Sequence, residues 1–215
     1  MTSLFSKKLL GICLCFLVVA STINAAESQS DAYKATAEQR ALKISASLAL
    51  TDPAQLARVR ALIAGHYVEL HELQGWRDAG VAATKAHSDK AVVASTLSEN
   101  KASYEAKIAS LHRDYLRSLA VELTLEQIDL VKDGHTYGVL PLTFRVYQQM
   151  LPQLTSEQKT KILALLTEAR EQAMDAGTAK EKHDWFGKYK GKINNYLSAE
   201  GYNMKQAEKN LITPR

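Results

Sequence analysis

The side chains best suited to chemistry in this sequence crowd into two short stretches. One runs from Ala173 to Tyr202 and holds Asp175, Lys182, His183, Trp185, Lys188, Asn194 and Asn195. The other is Asp133-Gly134-His135-Thr136-Tyr137-Gly138-Val139-Leu140-Pro141, which contributes His135 and Tyr137. An indole offers a face to the apolar side of a sugar ring, while amide, imidazole and ammonium groups bond its hydroxyls or carboxylate. That combination points to binding of an oligosaccharide, an acidic one in particular, on a surface built from both stretches. The plainer account of the same residues is a solvated lysine-rich helix. Phe186, Tyr189, Ile193 and Tyr196/Leu197 fall at helical spacing and read as core. Beside them stand Gly187 and Gly191, each costing about 1 kcal/mol relative to Ala in a helix. Close approach of a neighbouring helix or of a ligand would offset that cost, and packing is the favoured explanation of the two.

Enzyme signatures are sparse. The chain has no Gly-x-Ser-x-Gly elbow, His-Glu-x-x-His zinc motif, Walker loop or Rossmann fingerprint. His66 and Glu69 lie one turn apart, yet a di-metal bundle needs paired Glu-x-x-His motifs, and none is present. No metal or other cofactor is expected. A polysaccharide lyase or hydrolase remains an alternative, drawing on Asp133 and Asp175 with His135, His183 or a tyrosine.

The N-terminus constrains where any of this takes place. Lys7 and Lys8 precede an apolar run from Leu9 to Ala20, followed by Ser21-Thr22-Ile23-Asn24-Ala25-Ala26. A positive region, a short apolar region and a small residue at the cut make a secretory signal peptide, residues 1–25. A dozen apolar residues rise only about 18 Å as a helix, against a hydrocarbon core of about 30 Å. The expectation is a periplasmic or secreted protein with no stable membrane insertion once the leader is gone. Both cysteines, Cys13 and Cys15, leave with it, so the mature chain has no disulfide and no thiolate chemistry. The charge changes too. Of 27 basic and 23 acidic side chains, loss of Lys7 and Lys8 leaves 25 against 23, and the net charge falls from +4 to +2. Such a small excess argues against a nucleic-acid partner.

The remaining residues, 26–215, suit one helical domain rich in Ala, Leu, Lys, Glu and Gln. An amphipathic helix is predicted over 31–49. Asp52-Pro53 caps a second helix, with Leu56, Val59, Ile63, Leu70 and Leu73 on one face and an end near Gly75. A longer helix from about Val81 to Glu122 carries Val93, Leu97, Tyr104, Ile108, Leu111, Tyr115 and Leu119 as a core stripe. Thr124/Gln127 and Thr155/Gln158 are capping boxes, with Leu123 and Ile128 closing a hydrophobic staple on the first. A further helix covers 155–176 with Gly177 as its stop. The fold expected is an all-α, single-domain antiparallel helical bundle, elongated, with one non-helical loop near 133–141.

Two resemblances bear on function. The Leu-Thr-x-x-Gln repeats at 123–127 and 154–158 resemble a signature of small helical periplasmic chaperones, although capping chemistry alone also produces them. More extensive is the run Ala173-Met174-Asp175-Ala176-Gly177, Lys180-Glu181-Lys182-His183 and Gly187-Lys188-Tyr189-Lys190-Gly191-Lys192-Ile193-Asn194-Asn195-Tyr196-Leu197. It resembles the C-terminal signature of a secreted bacterial family catalogued as a domain of unknown function and flagged as sugar-binding. Members of that family accompany polysaccharide-degrading systems. The likeness covers most of the mature chain, including Asp133–Pro141. It implies an exported role in polysaccharide utilisation and brings no catalytic residues with it.

When the full chain is exported from a Gram-negative host, intact-mass analysis should find an N-terminus at Ala26, or at Glu27 if the cut falls one residue later. A product that keeps Lys7 would rule out leader cleavage.

Overall fold

The computed structural model describes residues 30–212, eight helices with no strand among them. The expected leader at 1–25 lies outside the described residues. Helix α1 spans 30–45 and runs into a short 3-10 turn, Ala46–Leu48. Helices α2 (Pro53–Lys85) and α3 (Lys90–Glu122) form an antiparallel hairpin, each arm about 50 Å long at 1.5 Å per residue. Then follow α4 (Leu125–His135), α5 (Val139–Met150), α6 (Ser156–Met174), α7 (Ala179–Ala199) and α8 (Met204–Ile212).

The helix starts follow local chemistry. Asp52 accepts from the Ala54 amide with Pro53 in the first turn, and Asp89 accepts from Ala91 and Val92. Thr124/Gln127 and Thr155/Gln158 make both reciprocal bonds of a capping box, and Thr178/Glu181 adds a third. Leu123 and Ile128 are buried together, closing the staple.

Three boundaries differ from those expected. Helix α2 does not stop at Gly75. It continues through Gly75 and Gly80 to Lys85, because pairing with α3 outweighs a glycine cost of about 1 kcal/mol at each. The break falls at 86–89, where the Asp89 cap gave a sequence signal that the apolar stripe overrode. The non-helical segment near 133–141 is shorter than expected, only 136–138. Asp133, Gly134 and His135 finish α4, while Pro141 sits in the first turn of α5, where a missing N–H costs nothing. Helix α6 ends at Met174 with Asp175 as its cap, two residues before Gly177.

The turn at 136–138 is a Schellman motif: the Gly138 amide donates to the Asp133 carbonyl at 2.8 Å and the Tyr137 amide to the Gly134 carbonyl at 3.4 Å. The left-handed position usually given to glycine is held by Tyr137, with φ 58°. A left-handed side-chain-bearing residue costs about 1 kcal/mol.

Apolar packing separates into two cores. The first gathers α1, the base of the α2–α3 hairpin and α4 around Val59, Ile63, Leu119 and Val131. The second gathers α5, α6, α7 and α8 around Ile162, Leu166, Phe186 and Ile193. The outer part of the hairpin joins neither. Between His71 and Lys85 on α2, and between Lys90 and Asp114 on α3, no side chain is fully buried. The stripe expected to be core along α3 is therefore core only at Tyr115 and Leu119.

Gly134 lies where α4 meets α1. A Cβ there would sit 2.7 Å from Cγ1 and 3.0 Å from Cγ2 of Ile44, close to the branched root of that side chain. Gly187 and Gly191 face open space, with nothing within 4 Å of a Cβ, so the tight packing expected for them is absent. Gly134→Ala should destabilise the protein by about 1–3 kcal/mol through overpacking, whereas Gly187→Ala should stabilise it by up to about 1 kcal/mol. Urea unfolding checks both. Effects of the same sign at the two sites, or a stabilising Gly134→Ala, would contradict this packing.

Candidate functional site

Charged groups and rings fill the seam between the two cores. Helix α4 turns Asp129, Lys132 and Asp133 toward α6, a spacing of three and four that places them on one face. Opposite them, Arg170 is buried and pairs with Asp129 at 2.5 Å and Asp133 at 2.9 Å, while Lys132 pairs with Glu171 at 2.9 Å. Glu171 also lies 3.5 Å from His112 Nε2 on α3. His112 Nδ1 is 2.7 Å from Asp175 Oδ2 at the α6 terminus. The other Asp175 oxygen approaches His66 Nε2 to 3.4 Å, a contact outside hydrogen-bond geometry. His66 stacks on Tyr115 at 3.9 Å between ring centroids, and the Tyr115 hydroxyl meets His135 Nε2 at 2.8 Å. Four helices thus supply a relay of contacts from Glu171 through His112, Asp175, His66 and Tyr115 to His135, hydrogen-bonded at His112–Asp175 and Tyr115–His135.

The protonation states divide along that relay. His112, bonded to Asp175 first and flanked by Glu171 second, is lifted to about 9 and is an imidazolium at neutral pH. Burial alone would raise the Asp175 carboxyl, but His112 and His66 outweigh it and the group titrates below its usual range. Burial pushes His66 down and His135 well below the ordinary imidazole value, so both are neutral. Burial also drives the Tyr115 hydroxyl well above its usual value, which keeps it protonated. Lys182, buried on α7, donates to the carbonyls of Ala173 at 3.0 Å and Met174 at 2.8 Å, covering the end of α6; burial lowers it to about 8.

Two concavities open on either side of the 175–178 turn. The larger is a groove of about 730 Å³ between the outer α2–α3 hairpin and the start of α7. Its walls include Arg77, Lys101, Tyr104 and Arg113 on the hairpin side and Trp185 on α7, with His112, Glu171 and Asp175 lining it as well. The smaller, about 280 Å³, is lined by Tyr33, Arg40, Tyr67, Gln74, Tyr137 and Lys182 among others. On the opposite face of the hairpin a third hollow, about 670 Å³, lies beside His66 and Tyr115 and is edged by Leu62, Leu111 and Val121.

The two stretches singled out in the sequence do meet. Tyr137 stacks over His183 with ring centroids 5.9 Å apart, and Tyr137 and Lys182 line the same pocket. They do not make one surface, however. Asp175 and Trp185 face the groove, with Lys188 over the Trp185 ring at 4.8 Å. Asn194 is turned toward α5, where it accepts from the Tyr147 hydroxyl at 2.7 Å, and Asn195 is exposed. His135 is fully buried and lines none of these three concavities. Asp133, an alternative catalytic acid, is held by Arg170.

Sequence alone gives no functional reading of His112, Glu171 or Arg40, and reads Tyr104 and Tyr115 only as core. His112 and His66 carried a usable signal, since each interrupts an apolar helical stripe: Ile108 and Tyr115 flank His112, Ile63 and Leu70 flank His66. The pairing of His66 with Glu69 does not occur in the relay, because Glu69 is exposed and His66 turns toward Asp175.

A family model described as "Protein of unknown function (DUF3826)" matches residues 34–213, nearly the whole described chain, and the protein belongs to that family. No curated protein matches it.

The relay imposes a pH dependence on stability. His112 binds its proton more tightly folded, at about 9, than at its ordinary 6.5. Its stabilisation is complete below pH 6.5 and is lost as pH rises toward 9. Lys182, depressed to about 8 from 10.5, acts in the opposite sense above pH 8. Between pH 6.5 and 8, urea unfolding should therefore show a loss of about 2 kcal/mol that His112→Gln abolishes. A slope that survives in His112→Gln would place the proton elsewhere.

Proposed function

We propose that this member of the DUF3826 family binds an oligosaccharide in the groove between the α2–α3 hairpin and α7, as an exported component of a polysaccharide-utilisation system. The observation that carries this reading is the placement of two aromatic rings, Tyr104 and Trp185, on elements that border one open groove of about 730 Å³. Each ring already has a cation near it, Arg77 at 5.1 Å from Tyr104 and Lys188 at 4.8 Å from Trp185. A sugar ring stacking on the remaining face would find hydrogen-bonding groups alongside, which is how pyranoses are recognised. The groove's charged lining is balanced, with Lys101 and Arg113 beside Glu105 and Glu181. Such a lining suits hydroxyls at least as well as carboxylates.

A second reading is processing of the glycan, favoured by the convergence of His112, Asp175 and Glu171 on the same groove. His112 as an imidazolium would serve as a general acid. Both carboxylates are already engaged by cations, which suits them less for nucleophile or base. Binding is therefore preferred to turnover. The hollow edged by Leu62, Leu111 and Val121 would serve a chaperone or adaptor, and aggregation assays test that third role.

A glycan array probed with residues 26–215, followed by calorimetry on each hit, tests the proposal. Trp185→Ala should weaken binding at least tenfold, about 1.4 kcal/mol, while Trp76→Ala should leave it unchanged. Trp76 is exposed near the hairpin tip and does not line the groove. Appearance of new reducing ends or unsaturated products would replace the binding reading with the enzymatic one, and an array without hits would remove both.

A further inference from the structure

The pocket across the 175–178 turn has a different character from the groove. Its lining contains two cations, Arg40 and Lys182, and no acidic side chain. Tyr33, Tyr67 and Tyr137 supply three phenolic hydroxyls, and Gln74 an amide. The lining thus combines two cationic donors with neutral hydroxyl and amide groups and offers no anionic acceptor.

Lys182 is 6 % exposed and has no carboxylate within ion-pair distance among the described residues. Its ammonium gives two hydrogen bonds to backbone carbonyls and has a third donor to spare. Asp175 and Glu181 act on it from beyond 4 Å, while Arg40 repels it. Arg40 likewise has no ion pair among the described residues; its guanidinium lies over the rings of Tyr67 at 5.1 Å and Tyr33 at 6.0 Å. A buried cation without a counter-charge is costly, and two cations facing one cavity add mutual repulsion. Folding tolerates this arrangement even though a neutral or acidic side chain at position 40 would relieve the repulsion, Lys182 itself being held by the Ala173 and Met174 carbonyls.

The mouth carries a second mark. Tyr137 keeps a left-handed backbone, at φ 58°, in a position where glycine costs nothing, and the residue is 57 % exposed with its ring beside His183. Nothing in the packing of α4 on α5 calls for that ring, so the strain is retained where the ring borders the pocket.

We propose that this pocket is a binding site for a small organic carboxylate, with the anion held between Arg40 and Lys182 and its carbon skeleton enclosed by Tyr33, Tyr67 and Tyr137. At about 280 Å³ the cavity is just below the roughly 300 Å³ at which sites for drug-sized ligands begin, so it suits a single hexuronate or a smaller acid. An arginine guanidinium grips a carboxylate by two parallel N–H bonds, and stacking on Tyr33 and Tyr67 preorganises it. The inference rests on the pocket alone and does not require the groove to bind a glycan.

Isothermal titration of residues 26–215 at pH 7 with acetate, succinate, D-glucuronate and D-galacturonate tests it, with D-glucose and inorganic phosphate as controls. At least one carboxylate should bind saturably, at least tenfold more tightly than D-glucose or phosphate. Arg40→Gln, at an exposed position, should weaken that binding tenfold or more without loss of fold, as should Lys182→Met if it folds. Tyr137→Gly should weaken it while raising the thermal midpoint. Trp185→Ala should leave it unchanged, which separates this pocket from the groove. No saturable carboxylate binding, equal binding of D-glucose or phosphate, or affinity unaltered in Arg40→Gln would each overturn the proposal.

Discussion

Arg170 reaches from α6 to α4 and is held there by Asp129 and Asp133, with Glu171 following it in sequence and paired to Lys132. These charges occupy the boundary at which two separate apolar cores meet. A guanidinium stays charged even out of water, so its burial is costly unless carboxylates replace the lost hydration, and removing one partner of such a pair typically costs about 3–5 kcal/mol. The relative placement of α4 and α6 is fixed by that need, and the rest of the site hangs on it. Once α6 is registered against α4, its end delivers Asp175 between His66 and His112, and the following turn delivers Lys182 to cover the Ala173 and Met174 carbonyls. The groove and the pocket exist because this turn stands between them.

The parts of this arrangement that sequence made legible are the local ones. Asp52-Pro53, Thr124/Gln127 and Thr155/Gln158 act over three residues, and each cap forms as its spacing implies. The seam was illegible for the opposite reason. Asp175 lies 63 residues from His112, Glu171 lies 39 from Lys132, and Asp133 lies 37 from Arg170. No periodicity links such pairs; only the folded register does. Apolar periodicity also overstates the core along α3, where the stripe before Tyr115 pairs with α2 and stays half-exposed.

Residue type misled in a related way. Trp185, His183, Asn194 and Asn195 look like one binding set in a linear reading, yet successive helical residues turn about 100° and point to different neighbours. Trp185 faces the groove, His183 meets Tyr137, Asn194 is taken by Tyr147, and Asn195 faces solvent. The open face at Gly187 and Gly191 has no explanation in the packing, since nothing approaches either residue.

The hairpin has a firm base and a thinly held tip. Its base is buried at Val59, Ile63, Tyr115 and Leu119, whereas the tip is joined by contacts such as Arg77 over Tyr104 and Asn100 to Thr84. Local opening free energy scales with buried apolar contact, so amide protons near Thr84 and Lys101 should exchange with solvent far sooner than those near Ile63 or Leu119. One wall of the groove is therefore compliant and the other, on α7, is rigid. Fluctuation of the tip changes the gap between Tyr104 and Trp185 without disturbing either core, so the width of the groove is set by the hairpin while α7 stays in place.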